Sequence, residues 1–104
     1  MKQIKVTRPV KENIMNAGKI IRVEALSNYS RIYFADGSTL VLAKVLQWFE
    51  DFLPDEMFIR VHRSHLINKQ FVTAIKGRKI KTILLNNGEN VVVSRRRKRM
   101  VDLL

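Results

Sequence analysis

The sequence lacks cysteine and has only two prolines and four glycines in 104 residues. Without cysteine, disulfides, thiol catalysis and cysteine-based zinc sites are excluded. The glycines are isolated, so no glycine-rich phosphate loop is present. No apolar run is long enough to span a bilayer, and the N-terminus has no apolar signal-peptide core. We therefore expect a cytoplasmic protein without a membrane partner.

Acidic residues are scarce in one half of the chain. Residues 60–104 contain twelve basic side chains and only two acidic ones, Glu89 and Asp102, whereas residues 1–59 are nearly balanced. The whole chain has a formal net charge of +11. Because a solvated surface usually mixes signs, this asymmetry predicts one face for a polyanionic partner.

The residues that catalysis would require are also missing. Ser64 has histidines nearby, but no Gly-x-Ser-x-Gly motif surrounds it, and paired carboxylates are absent. His62 and His65 stand three residues apart without a cysteine or a nearby carboxylate, which leaves a metal site incomplete. We expect no enzymatic activity, no small-molecule substrate, no metal and no cofactor.

Short stretches with alternating polarity, bounded by turn residues, predict a mainly β protein. The predicted strands are residues 18–26, 31–35, 39–42, 58–61, 71–76, 80–85 and 90–93. In the first of them, Ile21, Val23 and Ala25 are predicted to share one face.

Two other segments have weaker patterns. Residues 63–68 are predicted to be a connection, and residues 4–15 to form one or two strands broken near Pro9. With 46% apolar residues and no linker, residues 1–104 are predicted to form a single domain.

Two helices complete the predicted fold. Apolar residues recur at helical spacing within residues 44–53, and Pro54 ends this helix. Its predicted buried stripe is Val45, Leu46, Phe49, Phe52 and Leu53. Ser94 is a plausible N-cap for a short C-terminal helix, with Met100, Leu103 and Leu104 anchoring its far end.

The densest basic run is residues 95–99, Arg-Arg-Arg-Lys-Arg. It can be a solvated basic face, as most charge runs are. If Ser94 caps a helix, however, each cation in the first turn is disfavoured by about 0.3–1 kcal/mol, unless that end faces an anion. A second basic cluster lies within residues 58–68. There Arg60 and His62 alternate on one strand face, as in a polar network, and Arg63 is free to project outward.

Three motifs in order resemble a known family. They are F-x-R-x-H-R-S-x-x-[VI]-N at residues 58–68, E-A-x-x-N-Y at residues 24–29 and V-S-R-R at residues 93–96. The chain resembles the LytTR-type DNA-binding domain, found at the C-terminus of many bacterial response regulators of two-component systems. The resemblance implies an elongated stack of small antiparallel sheets with little helix. It also implies sequence-specific binding of double-stranded DNA for transcriptional regulation.

The resemblance further implies which residues contact DNA, because the family inserts loops into successive major grooves of bent DNA. The corresponding segments are residues 28–31, Arg63 with its neighbours, and residues 94–97. The expected base contacts are Arg63, Arg96 and Ser30. The expected phosphate contacts are Asn28, Tyr29, Arg31, Ser64, Lys69, Ser94, Arg95 and Arg97.

Two departures from the family pattern follow. Some members have a longer polar side chain at the position of Ser30, so a serine there would contact bases weakly or through water. Members usually follow a receiver or other input domain, and the sequence leaves open whether this chain stands alone or belongs to a longer regulator.

Two other partners fit a basic domain. An RNA-binding or ribosome-associated β-domain would interleave aromatic and basic residues on an exposed sheet, but the run 95–99 has no aromatic residue. A peripheral membrane module would place that run on anionic lipid, but the last predicted helix lacks a large apolar face.

Overall fold

The computed structural model describes residues 16–102, which form eight strands, two α-helices and three 3-10 turns. The strands are β1 (Ile20–Leu26), β2 (Tyr29–Phe34), β3 (Thr39–Leu42), β4 (Phe58–His62), β5 (His65–Asn68), β6 (Val72–Lys76), β7 (Thr82–Leu85) and β8 (Asn90–Val92). The helices are α1 (Leu46–Phe52) and α2 (Lys98–Val101). The 3-10 turns are Ala17–Lys19, Lys69–Phe71 and Arg95–Arg97.

The strands form two antiparallel sheets. The larger sheet has the order β3-β2-β1-β5-β4, and the smaller has the order β6-β7-β8. The described part is elongated, at 42 × 27 × 22 Å. The predicted fold class, mainly β with a central and a C-terminal helix, is confirmed. The predicted strands within residues 4–15 lie outside the described residues.

Strand β1 contributes side chains to both apolar clusters of the core. Ile20 and Val23 pack with α1 in the first cluster, whereas Ile21 packs with β4, β5 and the smaller sheet in the second. A register irregularity between Ile20 and Arg22 changes the alternation at this point. The prediction that Ile21 shares a face with Val23 and Ala25 is therefore wrong, since the bulge turns Ile21 toward the other cluster.

Helix α1 packs on the larger sheet through Leu46 and Phe49, and Leu53 is buried just after it. Val45 and Phe52 were predicted to be buried but are 49% and 47% exposed. Val45 is the extended N-cap residue, and Phe52 stacks on Trp48 with ring centroids 4.8 Å apart. No helix within residues 16–102 has both the length and the apolar character to cross a membrane.

Two predictions for the C-terminal half are corrected. Residues 65–68 form strand β5, and only Arg63 and Ser64 remain as the turn of a tight β4–β5 hairpin. In α2 the buried residue is Val101, whereas Met100 is 52% exposed. Leu103 and Leu104 lie outside the described residues.

Candidate nucleic-acid interface

Two hairpin turns lie side by side at one end of the larger sheet. Strand β1 runs antiparallel to β5, so the turn after β1 (Ser27 and Asn28) and the turn before β5 (Arg63 and Ser64) lie at the same end. The N–H of Ala25 donates to the carbonyl oxygen of Ser64 at 2.9 Å. This bond ties the second turn directly to β1.

A third segment continues this row. The N–H of Ser94 donates to the carbonyl oxygen of Val61 at 2.8 Å, which places residues 94–97 beside the end of β4. We call the three segments together the turn edge: the Ser27–Asn28 turn, the Arg63–Ser64 turn and residues 94–97. Two of the segments predicted to contact DNA, around Arg63 and at residues 94–97, thus meet at one edge, together with Asn28 of the third, whose other residues lie in β2.

Arg63 and Arg96 line the same open cleft, with a volume of about 650 Å³. The other lining residues are His62, Ser94, Arg97 and Met100. The structure therefore brings together two of the three residues predicted to contact bases.

The Arg60 side chain donates hydrogen bonds to the backbone at the Arg63–Ser64 turn. Its Nε donates to the carbonyl oxygen of His62 at 2.9 Å, and its Nη2 donates to the carbonyl oxygen of Arg63. Its Nη1 donates to Oε1 of Glu50 in α1 at 2.8 Å. The predicted polar network of Arg60 and His62 is confirmed, but the sequence did not indicate Glu50 as a partner. The guanidinium thus anchors the turn to the helix.

Histidine side chains support the same turn. The N–H of Ser64 donates to Nδ1 of His62 at 3.0 Å. The ring of His65 lies 5.2 Å from that of His62, and burial, together with the charge of His62, lowers the pKa of His65. Both effects favour the uncharged form of His65. Within residues 16–102, no group of three or more potential metal ligands includes these histidines.

Both acidic residues of the C-terminal half are engaged in ion pairs with cations that do not belong to the turn edge. Asp102 pairs with Lys81 at 2.7 Å, and Glu89 accepts hydrogen bonds from Arg22 at 2.9 and 3.2 Å. Burial opposes the charge on Arg22, but Glu89 outweighs it and raises the pKa of Arg22, while the same hydrogen bonding lowers the pKa of Glu89. In the described part of the chain, no carboxylate oxygen lies within 4.0 Å of the guanidinium groups at the turn edge. That edge therefore keeps its positive charge.

Ser30 does not face this edge. It is 0% exposed, and its hydroxyl donates to the carbonyl oxygen of Lys44 at 2.7 Å. In β2 it alternates with the buried Ile32 and Phe34, so its side chain points into the core. The expectation that Ser30 contacts bases conflicts with this burial, and we exclude Ser30 from the proposed contacts.

Replacing Ser30 by alanine is expected to lower the free energy of unfolding by about 1–2 kcal/mol, because the partly buried carbonyl oxygen of Lys44 loses its hydrogen-bond donor. Sequence preference on DNA should not change. Urea unfolding and binding to a panel of duplexes measure the two quantities. Ser38→Ala is the matched control, since the Ser38 hydroxyl bonds only the exposed Asp36. Relaxed sequence preference at unchanged stability would restore Ser30 as a base contact.

The remaining predicted contacts occupy different positions. Asn28 is exposed in its turn, Tyr29 is 39% exposed, and Arg31 is half-buried in β2. Ser64 lies in the Arg63 turn. Lys69 follows the far end of β5, so the structure does not bring it to the turn edge.

The C-terminal basic run does not begin a regular helix. Arg95–Arg97 is a 3-10 turn, and α2 has only four residues. Ser94 occupies the N-cap position, but its side chain makes no capping hydrogen bond. Helix-dipole attraction for an anion therefore contributes little here, because so short an element has almost no macrodipole. Arg97 donates to the carbonyl oxygen of Arg60 at 3.3 Å, and Arg95 and Arg96 are exposed.

A third basic cluster was not among the segments that the sequence predicted to contact DNA. Residues 76–81, Lys-Gly-Arg-Lys-Ile-Lys, join β6 to β7 and contain four of the twelve basic residues of the C-terminal half. The number of basic residues in this segment was the one feature of the sequence that could have indicated it. No motif marked them, and only the strand pairing shows where they lie.

A family model described as the LytTr DNA-binding domain matches residues 12–104 of the chain. Among solved structures, the LytTr DNA-binding domain of a protein described as a methyl-accepting/DNA response regulator from Bacillus cereus is similar, with a TM-score of 0.76 and 28% sequence identity. That match covers 84% of this chain and 81% of the other. No curated protein sequence matches the chain.

Proposed function

Because the chain belongs to the LytTR family of DNA-binding domains, we propose that it binds double-stranded DNA sequence-specifically through the turn edge and so regulates transcription. The observation that supports this proposal is that two predicted contact segments, the Arg63 turn and residues 94–97, meet at one arginine-rich edge, with Asn28 of the third beside them. Exposed arginines on short turns suit this purpose, since arginine contacts both phosphates and guanine edges.

The dimensions of the turn edge fit a duplex. Taking about 4.8 Å between neighbouring strands, the backbone distance from the Ser27–Asn28 turn to residues 94–97 is about 17 Å. Successive major grooves on one face of B-DNA are ~34 Å apart and ~12 Å wide, so their nearest edges are about 22 Å apart. Long side chains at both ends, and bending of the DNA toward the protein, close the remaining distance. The two outer segments are thus proposed to enter successive major grooves, with the Arg63 turn between them.

The proposed contacts divide by role. Arg63 and Arg96 contact bases, because both are exposed and line the cleft at the turn edge. Other residues at or near the turn edge position the protein on the phosphates. These proposed phosphate contacts are Asn28, Tyr29, Arg31, Ser64, Ser94, Arg95 and Arg97.

Affinity for any duplex is expected to fall steeply with salt. Each neutralised phosphate contributes about −0.9 to the slope of log K against log salt, so three cationic phosphate contacts give a slope of at least about −2.7. Arg95→Ala should flatten that slope by about 0.9 on specific and random duplexes alike. Fluorescence anisotropy across a salt series measures it. Lys19→Ala, which removes an exposed charge at the opposite end of β1, should leave the slope unchanged.

Selection from a random duplex library followed by sequencing tests the specificity. The expected result is an enriched motif whose contacted positions lie on one face of the duplex. An RNA-binding domain is the competing function, and preference for single-stranded RNA over the selected duplex in a competition gel shift would favour it. Absence of any enriched motif would contradict sequence-specific binding.

We further propose that the domain is the output part of a bacterial response regulator in a two-component system, acting in the cytoplasm where its DNA lies. The similar Bacillus cereus domain, which belongs to a protein described as a response regulator, supports this context. A receiver domain in the same parent chain would then control access to the turn edge.

A further inference from the structure

The loop of residues 76–81 lies next to the turn edge. The N–H of Val93 donates to the carbonyl oxygen of Lys81 at 2.9 Å, and the adjacent Ser94 begins the third segment of that edge. Strand β7 starts beside the end of β8, with Thr82 opposite Val92. The loop between β6 and β7 therefore emerges at the same end of the smaller sheet as residues 94–97.

The loop has a defined shape. Gly77 has a positive φ of 96°, and a β-carbon at this position would overlap the carbonyl oxygen of Ile80. The chain thus folds back tightly over residues 77–80. At the base of the loop, the ammonium of Lys81 pairs with Asp102 beyond α2 at 2.7 Å. The Lys81 end of the loop is thus held beside the turn edge, and the Lys76 end is held by its pairing with Thr82 of β7.

Three cations of the loop remain for an external anion. Lys76, Arg78 and Lys79 are exposed. Within residues 16–102, none of them lies within 4.0 Å of a carboxylate oxygen. A solvated basic loop is the ordinary explanation of such a cluster. Its position in line with the turn edge favours a contact with the same polyanion.

We propose that Lys76, Arg78 and Lys79 bind the phosphate backbone of the duplex beyond the specific site, on the side of Arg96. This inference rests on the proposed function. The loop lies about 7 Å past residues 94–97 if neighbouring strands are ~4.8 Å apart. With phosphates about 3.4 Å apart along a strand, it extends the contact by about two phosphates at one end of the site only. The loop therefore adds affinity and asymmetry, and no sequence preference.

The test compares two variants whose net charge is lowered by the same two units. Arg78→Gln/Lys79→Gln removes the tip cations of the loop. Lys19→Glu, the control variant, reverses the charge of an exposed residue at the opposite end of β1. On a long duplex containing the selected motif, the loop variant is expected to bind roughly tenfold or more weakly at 0.1 M salt, with a slope flatter by about 1.8. The control variant should match the wild type, and both variants should keep the wild-type motif preference.

Trimmed duplexes locate the contact. The motif positions that Arg96→Ala relaxes identify the Arg96 side of the site. On a duplex trimmed at that side of the motif, the loop variant and the wild type should bind equally. On a duplex trimmed at the opposite side of the motif, the loop variant should still bind more weakly than the wild type.

Four results would overturn the inference. They are wild-type affinity and slope in the loop variant, an equal loss in the control variant, a loss of motif preference in the loop variant, and a difference that survives trimming at the Arg96 side. In each case a wild-type preference for the motif would leave the proposed function standing. A wild type that binds selected and random duplexes equally would reject the proposed function, and this inference with it.

Discussion

Replacing Arg63 or Arg96 by alanine is expected to weaken binding to the selected duplex by about 1–3 kcal/mol, roughly 5- to 150-fold. Binding to random duplex should change much less. Both side chains line the open cleft at the turn edge, where no carboxylate of the described residues competes for them. A bidentate arginine contact to guanine is worth that much discrimination against a wrong base. Parallel titrations of specific and random duplexes measure the ratio of the two affinities.

The two variants should also differ from each other. Because Arg63 lies in the middle of the turn edge and Arg96 toward one end, repeating the library selection with each variant should relax different positions of the motif. Arg95→Ala provides the control, since a phosphate contact should weaken both duplexes alike. Equal losses on specific and random duplexes for all three variants would contradict this division of roles.

Replacing Arg60 by alanine is expected to lower the free energy of unfolding by about 2–4 kcal/mol, because hydrogen bonds from a charged group and a partly buried ion pair are lost together. The carbonyl oxygens of His62 and Arg63 lose their donor, and Glu50 loses its partner. Since the Arg63 turn is then held less firmly, discrimination between duplexes should fall as well. Urea unfolding, and binding measured below the unfolding transition, separate these two effects.

Arg22→Ala is the matched control for Arg60. Arg22 also lies in a sheet and pairs with a glutamate, Glu89, but it lies near the opposite end of β1 from the turn edge. Arg22→Ala should lower the free energy of unfolding by a comparable amount and leave the discrimination between specific and random duplexes unchanged. Glu50→Gln, which keeps an acceptor for Arg60, should have a smaller effect on both quantities. Loss of discrimination in Arg22→Ala equal to that in Arg60→Ala would show that the effect is general destabilisation.

The sequence pattern predicted the strands correctly where a turn contains glycine and where polar and apolar residues alternate along the strand. The predicted strands 31–35 and 39–42, and 80–85 and 90–93, leave turns at Gly37 and Gly88, where the structure has them, and both glycines have positive φ. The Arg63–Ser64 turn has neither glycine nor positive φ, so no local signal indicated β5 as a strand. That hairpin depends instead on the side chains of Arg60 and His62 reaching back to the turn, which strand periodicity does not show.

The candidate site divides in the same way. Motif resemblance indicated Arg63 and Arg96, and the structure brings both to one cleft. The expectation for Ser30 came from its motif position, and the predicted strand that began at residue 31 did not indicate its burial. Once β2 begins at Tyr29, the alternation with Ile32 places Ser30 inside. The position of residues 76–81 next to the turn edge depends on the pairing between β7 and β8, which the number of basic residues does not show.

The bulge in β1, which turns Ile21 toward the smaller sheet, also bears on how the proposed turn edge would meet DNA. Ile21 packs in one apolar cluster with residues of β4, β5 and the smaller sheet, so the smaller sheet cannot detach without exposing them. Local opening between the sheets is therefore costly, and the proposed contact segments are expected to keep one spacing. If the turn edge binds DNA as proposed, the duplex and not the protein should deform. Sequences that bend or unstack easily should then gain affinity at positions that no side chain touches.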